Sequence, residues 1–300
     1  MKKQFWNSII IFQRPIEVQE VMAAQGNKKS KSKIFNKTFK EIQLFNIDKL
    51  LNSDINNKSS DSVKGRLILV TTPIGDFHDI TYRALYSIKD SEYLLCEDTK
   101  ESSKLLRAFG IKKDLNLLNE HNESVVVPEI LKLLLSGVNV TLISDCGTPA
   151  FADPGLKLVN ECIQNDIKID FVHGANSVIS AITISGFDIS RFYFYGFLSP
   201  KNEIRIKELK NISSLPHPVI LMDTPYRMSN LINDLLAIFP DRNIFLALNL
   251  STKEEKHLRG KPCDIKSQLS AYFGESKPKA EFIVVLDKLP KHIPVKQNPS

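Results

Sequence analysis

The feature that most constrains this chain is a run of β-forming residues that ends in an acidic, glycine-containing loop. Residues 138–143 form the run, and Ser144-Asp145-Cys146-Gly147-Thr148-Pro149 follows it directly. Residues 67–76 repeat the design, with a buried strand followed by the turn Pro73-Ile74-Gly75. Two such junctions in one α/β domain predict ligand atoms held at the carboxyl ends of parallel strands. The pattern therefore indicates a backbone-built pocket for a nucleotide-like ligand.

The composition is typical of a folded, globular protein. Of its 300 residues, 42% are hydrophobic and 25% are charged, which is unlike a disordered chain. No apolar run reaches the roughly 20 residues that a membrane helix needs, so we expect no membrane association. The four cysteines have neither CxxC nor Cys/His spacing. We therefore expect no metal site and a reducing, cytoplasmic compartment.

All of the basic excess lies in residues 1–64. They hold 12 Lys and Arg against 6 Asp and Glu, whereas the remaining residues hold 28 of each. Overall charge therefore gives the folded body no general affinity for nucleic acid, which leaves only local basic patches. We expect residues 1–64 to be a basic, mostly disordered extension. A nucleic-acid-binding arm, an organellar leader and a mis-assigned start codon also fit this segment.

Strand and helix patterns alternate from residue 65 onward. This alternation predicts an α/β domain at 65–187, with a mostly parallel sheet and helices on both faces. Two consecutive strands predict a mixed sheet in a second α/β domain at 188–288, followed by a tail at 289–300. The predicted strands are 66–72, 92–97, 115–118, 138–143, 167–172, 192–197, 219–222, 243–250, 255–259 and 281–286. The predicted helices are 80–88, 102–109, 128–135, 153–165, 177–185, 203–212, 227–239 and 265–273.

Asp145 is the strongest single candidate for binding a ligand. A carboxylate just beyond a strand end can accept hydrogen bonds from an amine or hydroxyl group, while Gly147 allows the backbone to approach closely and Thr148 helps to stiffen the turn. An Asx-type turn without a ligand explains the same residues. The turn at Ile74 and Gly75 has the same two interpretations. Neither loop is a GxGxxG or GK[ST] sequence, so no motif indicates NAD or ATP.

Polar residues at other strand ends are candidates for catalysis. Glu97 and Asp98 follow one strand and His121 follows the next, where an imidazole beside a carboxylate can take a proton near neutral pH. All three are also ordinary residues for solvated loops. Asn176 and Ser177 lie in a small-residue turn that opens a helix, and helix N-termini favour polar or anionic ligand groups.

Basic residues follow the strands of the second domain. Arg227 can bind phosphate, pair with an acid, or lie in a segment that only caps the next helix. Lys201 and Arg205 belong to a basic run of the kind that is most often a solvated face.

Taken in order, these stretches resemble the tetrapyrrole methylase superfamily of S-adenosylmethionine-dependent enzymes. Within it, the chain is most similar to the bacterial small-subunit ribosomal RNA 2′-O-ribose (cytidine) methyltransferase family, over roughly residues 66–287. The matching stretches are 72–75, 79–81, 83–85, 97–99, 109–111, 121–123, 144–149 and 153–155. The chain departs from the family at 172–175, at Met222-Asp223 and at 248–253. The departures in the second domain leave the identity of the methyl acceptor less certain than that of the cofactor.

The resemblance implies two α/β domains with S-adenosylmethionine in the cleft between them, and a homodimer. The cofactor contacts that it implies are Ile74, Gly75, Asp145, Gly147, Thr148, Asn176, Ser177, Met222 and Ala247.

The reaction implied is methyl transfer to a ribose hydroxyl of small-subunit ribosomal RNA, by in-line displacement. The candidate bases for the hydroxyl proton are His121, Glu97 and Asp98. The candidate ligands for RNA phosphates are Arg227, Lys201 and Arg205. Three alternatives stay open: a small tetrapyrrole-like acceptor, a protein acceptor, and a cofactor-binding protein without catalysis.

Overall fold

Two five-stranded sheets form the core of this computed structural model, which describes residues 64–276 and 278–289. All of these residues belong to one compact unit of the chain. The predicted basic extension and most of the predicted tail lie outside the described residues.

The first sheet is wholly parallel. Its strands are β1 (Arg66–Val70), β2 (Tyr93–Cys96), β3 (Asn116–Leu117), β4 (Val140–Ile143) and β5 (Lys168–Val172). They lie in the order β3-β2-β4-β1-β5, so that β1 and β4 are neighbours, with Leu67 opposite Val140. All four residues of β4 are buried, as expected for a strand covered on both faces.

Helices cover both faces of this sheet. They are α1 (Tyr82–Asp90), α2 (Thr99–Ala108), α3 (Glu123–Leu135) and α4 (Leu156–Gln164). α1 and α2 pack on one face through Ala84, Ile88 and Leu106, whereas α3 and α4 pack on the other. The chain therefore leaves the adjacent strands β1 and β4 towards opposite faces. Such a switch point opens a crevice at the carboxyl edge of the sheet.

The second sheet is mixed, as predicted. Its strands are β6 (Tyr193–Phe197), β7 (Val219–Asp223), β8 (Ile244–Leu248), β9 (Lys256–Gly260) and β10 (Phe282–Leu286). Their order is β6-β7-β10-β8-β9, in which β6 and β7 are parallel and the other pairs are antiparallel.

One face of the second sheet is covered by three helices and the other by one. α6 (Asn202–Ser213), α7 (Met228–Ile238) and α8 (Pro262–Phe273) bury the larger apolar cluster. α5 (Ser177–Ser185) covers the opposite face through Val178, Ala181 and Ile182. Although α5 precedes the predicted boundary at 187, it packs on the second sheet; the boundary itself stays a prediction.

Of the eight α-helices in the described part of the chain, only α5 begins at the predicted residue. α1, α6 and α7 differ from the prediction by one or two residues, and α8 begins at Pro262 instead of 265. Two of the other three starts have a clear local cause. α2 begins at Thr99 instead of 102, because the Asp98 side chain caps it. α3 begins at Glu123 instead of 128, with Pro128 in its second turn. α4 begins at Leu156 instead of 153, because Gly155 has a left-handed backbone with φ of 118° and cannot continue a helix.

Candidate active site

The loops that follow β1 and β4 are tied together at the carboxyl edge of the first sheet. The buried Thr72 makes both links. Its amide donates to the carbonyl oxygen of Gly147 at 2.8 Å, and its hydroxyl donates to the carbonyl oxygen of Ser144 at 3.0 Å. These bonds hold the backbone of the loop 144–155 without using the Asp145 side chain.

Two residues predicted to contact the cofactor, Ile74 and Gly147, lie against each other. Gly147 has φ of 89°, and a Cβ placed on it would lie 3.4 Å from the Ile74 side chain. The Cys146 thiol donates to the carbonyl oxygen of Ile74 at 3.4 Å. The left-handed backbone favours glycine at position 147.

The N-terminus of α5 joins the same site. Asn176 caps the helix, since its side-chain oxygen accepts from the amide of Ile179 at 3.0 Å. Its side-chain amide donates to the Thr148 hydroxyl at 3.2 Å. Ser177 is the first helical residue. The structure thus brings together Ile74, Gly147, Thr148, Asn176 and Ser177, which come from three segments of the sequence.

Asp145 is linked to the candidate bases. One of its carboxylate oxygens accepts from the amide of Asp98 at 3.1 Å, while the Asp98 carboxylate accepts from the amide of Lys100 at 2.6 Å. Partial burial raises the pKa of Asp145. Asp98 therefore serves as the helix cap of α2, and its backbone positions Asp145.

Glu97 has the most perturbed carboxyl group at this edge. Burial, together with the nearby carboxylates of Asp153, Asp145, Glu120 and Asp98, raises its pKa to about 7. A carboxyl group with this pKa exchanges its proton near neutral pH, which is what a general base requires. Of the three predicted bases, Glu97 is the one that the structure prepares electrostatically.

His121, another predicted base, lies apart from this cluster. Its side chain is 86% exposed, and its nearest charged partner is Glu120, at 3.6 Å between Nε2 and Oε1. Glu120 is close enough to act on Glu97. The imidazole itself stands in solvent.

Two acids that were not among the predicted site residues organise the loop 144–155. Asp153 accepts a hydrogen bond from the Ser144 hydroxyl at 2.7 Å, and burial raises its pKa. Glu123 at the start of α3 accepts from the amide of Gly155 at 3.0 Å. Both residues lie in stretches that carry the family resemblance, 121–123 and 153–155, but neither was predicted to bind a ligand or to act in catalysis. The predicted helix at 153–165 includes Asp153, whereas the Asp-Pro-Gly sequence at 153–155 is typical of a turn.

A cavity of about 620 Å³ lies between the two sheets. From the first sheet it is lined by Ile74 and the turn at residues 173–175, and from the second by Leu250 and Ser251. The two sides meet at its rim, where the Ser251 hydroxyl donates to the Asp79 carboxylate. Gly75 is so close to the second sheet that a Cβ on it would lie 2.6 Å from the carbonyl oxygen of Leu250.

Two further predicted cofactor contacts, Met222 and Ala247, lie in the second sheet. Both belong to the apolar cluster beneath α5. Met222 is partly exposed, whereas Ala247 is fully buried. The structure does not bring the Ala247 side chain to the surface of the cleft.

The three predicted phosphate ligands have different surroundings. Lys201 is exposed beside the first turn of α6. Arg227 pairs with the buried Asp223 at 2.5 Å. Arg205 is 5% exposed and pairs with Asp234 of α7 at 2.6 Å. Two of the three guanidinium or ammonium groups are therefore already bound to carboxylates within the protein.

Among residues 64–276 and 278–289, no three His, Cys, Asp or Glu side chains converge in a way that would hold a metal ion. In the same part of the chain, no helix has both the length and the apolar character of a membrane span.

Comparison with known sequences places this chain in a family. The family of tetrapyrrole (corrin/porphyrin) methylases matches residues 66–265. The chain is 38% identical to a ribosomal RNA small subunit methyltransferase I of Thermotoga maritima, over 74% of this chain and 98% of that protein. It is 36% identical to one of Neisseria meningitidis, over 76% of this chain and 78% of that protein.

Solved structures share the fold at lower sequence identity. Diphthine synthase superimposes with a TM-score of 0.58 and 17% identity, covering 74% of this chain and 90% of the other. Uroporphyrin-III C-methyl transferase from Thermus thermophilus, complexed with S-adenyl homocysteine, gives 0.51 and 16%, covering 74% and 97%. These matches confirm the predicted two-sheet architecture.

Proposed function

The chain belongs to the tetrapyrrole methylase family, and we propose that it is an S-adenosylmethionine-dependent methyltransferase. Its proposed acceptor is the 2′-hydroxyl of a cytidine ribose in small-subunit ribosomal RNA. The similarity to two relatives named for small-subunit ribosomal RNA supports the choice of RNA. The observation that carries the chemistry is the Glu97 carboxyl, whose pKa is raised to about 7 beside the Asp145 loop.

The residues at the cleft fit a nucleoside cofactor. The cavity of about 620 Å³ falls within the roughly 300–1,000 Å³ of small-molecule sites, and it adjoins the Asp145 loop through Ile74, which lines the cavity and lies against Gly147. Asp145 accepts one backbone hydrogen bond, which leaves acceptor capacity on its carboxylate for ligand hydroxyl or amine groups. The left-handed Gly147 keeps the backbone open to close approach. When bound, S-adenosylmethionine would supply an electrophilic methyl group on a sulfonium.

Around that ligand, we assign roles to the residues of this chain. Ile74 lines the cavity on the side of the first sheet. We propose that Gly75, Thr148, Asn176 and Ser177 contact the part of the cofactor that extends beyond the cavity, where Asn176 and Thr148 are hydrogen-bonded to each other. The second-sheet contacts at Met222 and Ala247 remain part of the proposal. For Ala247, buried as it is, the contact would have to be made through the backbone or after movement of α5.

Glu97 is the proposed general base. A ribose hydroxyl is a weak acid, so a carboxylate that accepts its proton as the oxygen attacks lowers the barrier. The same carboxyl must lose that proton to solvent afterwards, which a pKa of about 7 allows. Asp98 caps α2 and His121 lies in solvent, so both are weaker candidates for the general base than Glu97.

The RNA is proposed to reach the site as an unpaired strand, because a ribose hydroxyl next to stacked bases is poorly accessible. Lys201 is the exposed candidate for its phosphates, whereas Arg227 and Arg205 pair with acids of the protein. A homodimer and a cytoplasmic location complete the proposal.

The acceptor is tested by incubating the protein and methyl-labelled S-adenosylmethionine separately with small ribosomal subunits, with their RNA and with a tetrapyrrole. We expect label in the RNA, in a nucleotide that resists cleavage by alkali, because methylation blocks the 2′-oxygen that attacks the phosphate. Glu97→Gln is the matched control, since it removes the base and keeps the size of the side chain.

Each other outcome has a definite meaning. Label only in a tetrapyrrole or in a ribosomal protein would replace RNA with one of the alternative acceptors. Label on a base, which alkali releases as a mononucleotide, would contradict the ribose. Cofactor binding without label in any of these acceptors would favour a binding protein without catalysis.

A further inference from the structure

An exposed aromatic pair joins the two sheets beside the proposed active site. Phe151 lies in the loop after β4, and Phe194 lies in β6 of the second sheet. Their rings are stacked, with centroids 4.9 Å apart and an interplanar angle of 25°. Phe151 nevertheless keeps 37% of its surface exposed. An aromatic ring that stacks on a neighbour and is still partly exposed can stack with another flat group.

The backbone on both sides of Phe151 is held in an unusual conformation. Ala150 and Ala152 have φ of 60° and 61°, the left-handed region that residues with a side chain rarely adopt. The amide of Phe151 donates to the carbonyl oxygen of Thr148 at 3.3 Å. Strain of this kind persists where the surrounding structure imposes it, and here it directs a large apolar side chain away from the core of its own sheet.

Phe151 belongs to the same loop as two acids of the proposed site. The same loop contains Asp145 and Thr148 before it and Asp153 after it. Asp153 is near enough to Glu97 to help raise its pKa. The exposed ring therefore stands on the segment that connects the proposed cofactor pocket with the proposed base.

We propose that Phe151, supported by Phe194, stacks against an unpaired nucleobase of the RNA, at the acceptor nucleotide or next to it. This inference rests on the proposed function and adds a residue that recognises the substrate. Aromatic side chains bind single-stranded nucleic acid in this way, because every base offers a flat π-face. Phe194 and the strained loop fix the ring in advance, so little freedom is lost on binding.

The charges around the ring favour a base over a polycarboxylate tetrapyrrole. Glu97, Asp98, Asp145 and Asp153 surround this edge of the sheet. They would repel a ring that carries several carboxylates. A nucleobase is uncharged, and the phosphates of its strand can lie outside the cluster.

The test separates stacking from packing by three substitutions at one position. Phe151→Leu keeps an apolar side chain but removes the π-face, whereas Phe151→Tyr and Phe151→Trp keep it. In the RNA methylation assay we expect Leu to raise KM for RNA at least about five-fold, the lower end of the loss per stacked base. The Phe151→Tyr and Phe151→Trp variants should keep a KM for RNA near the native value. All three variants should bind S-adenosylmethionine with the native Kd.

Tyr272 provides a matched control. It is also 37% exposed and contacts a phenylalanine, Phe273, edge-to-face with centroids 4.8 Å apart, and Lys256 lies over its ring. It lies on α8, on the face of the second sheet that α6, α7 and α8 cover. Tyr272→Leu should leave KM for RNA unchanged.

A fluorescence titration reads the contact directly. The chain has one tryptophan, Trp6, so Phe151→Trp in a Trp6→Phe background carries a single reporter. A cytidine-rich single-stranded oligoribonucleotide should quench its emission, and should not quench Tyr272→Trp in the same background.

The outcomes distinguish this inference from the proposed function. If the native protein methylates RNA and Phe151→Leu has native KM, stacking is wrong while the function stands. If Tyr and Trp raise KM as much as Leu does, the residue only fills space, and the inference is again overturned. If the native protein does not methylate RNA, both fall.

Discussion

Among single residues, Glu97 and its neighbours show how burial and like charges prepare a base. Glu97 is only partly exposed, and burial contributes most to the rise of its pKa to about 7. Asp153, the largest electrostatic contributor, is distant in sequence and reaches Glu97 only because β2 and β4 are adjacent in the sheet. The sequence indicated Glu97 as one of three candidate bases. Its advantage over the others depends on this long-range contact, which the sequence does not reveal.

We predict that the rate of methyl transfer depends on the ionisation of Glu97. The base works as a carboxylate, so kcat should rise with pH up to about 7 and level off above it, following the raised pKa. Glu97→Gln should lower kcat at least about 100-fold, the lower range for loss of a general base. The measurement is the pH profile of kcat for native protein and variant under saturating S-adenosylmethionine and RNA.

Asp98→Asn serves as the control in the same assay. Asparagine caps a helix as well as aspartate does, so α2 should remain intact and kcat should stay close to native. If Asp98→Asn lowered kcat as much as Glu97→Gln does, the assignment of Glu97 as the base would be wrong.

At the scale of helices and strands, α6 and α7 are joined by a buried ion pair. Arg205 of α6 donates to Asp234 of α7 at 2.6 Å and to the side chain of Asn202 at 2.8 Å. The basic run that contains Arg205 predicted a solvated face or a phosphate site. A helix that packs against its neighbour turns one of its basic residues inward, and a run of Lys and Arg does not show which one.

We predict that Arg205 stabilises the fold and does not bind RNA. Arg205→Ala leaves the partly buried Asp234 carboxylate without its partner, which should lower the free energy of unfolding by about 1–3 kcal/mol. Lys201→Ala, an exposed change on the same helix, should stay within about 0.5 kcal/mol of native. Urea unfolding of both variants measures this difference. If the Arg205→Ala variant were as stable as the native protein but had a raised KM for RNA, Arg205 would be a phosphate ligand and this prediction would be wrong.

The strands were predicted from the sequence more reliably than the starts of the helices. All ten predicted strands are present, because buried parallel strands such as β4 are continuous apolar runs. Helix starts were less reliable, since they depend on caps and on single backbone angles. The left-handed Gly155 before α4 and the Asp98 cap of α2 are examples.

Across the whole molecule, the cleft depends on the close approach of the two sheets. Gly75 touches the turn after β8, and the Asp79 carboxylate accepts a hydrogen bond from Ser251 in that turn. The sequence predicted a cleft between two α/β domains through its family resemblance. These contacts at its rim join segments about 170 residues apart, so local patterns carried no sign of them.

We predict that Gly75→Ala weakens cofactor binding. The new Cβ would lie 2.6 Å from the carbonyl oxygen of Leu250, so the two sheets must shift at the rim of the cavity. Overpacking of this kind costs on the order of 1–3 kcal/mol, and we expect both a lower melting temperature and a raised Kd for S-adenosylmethionine.

Gly110→Ala is the comparison. Gly110 has φ of 65° and no atom within 4 Å of a Cβ, so the variant should lose stability through backbone strain while its Kd stays native. Equal Kd values for Gly75→Ala and the native protein would mean that this contact does not shape the pocket.

The central claim is that a sulfonium nucleoside binds at the loop that begins at Asp145, and calorimetric titration with S-adenosylmethionine tests it most directly. We predict saturable one-site binding to the native protein. Asp145→Ala, with its fold verified by circular dichroism, should raise Kd at least about ten-fold, the lower end for the loss of a hydrogen bond to a charged group. No heat of binding to the native protein, or the same Kd in native protein and folded variant, would contradict the account.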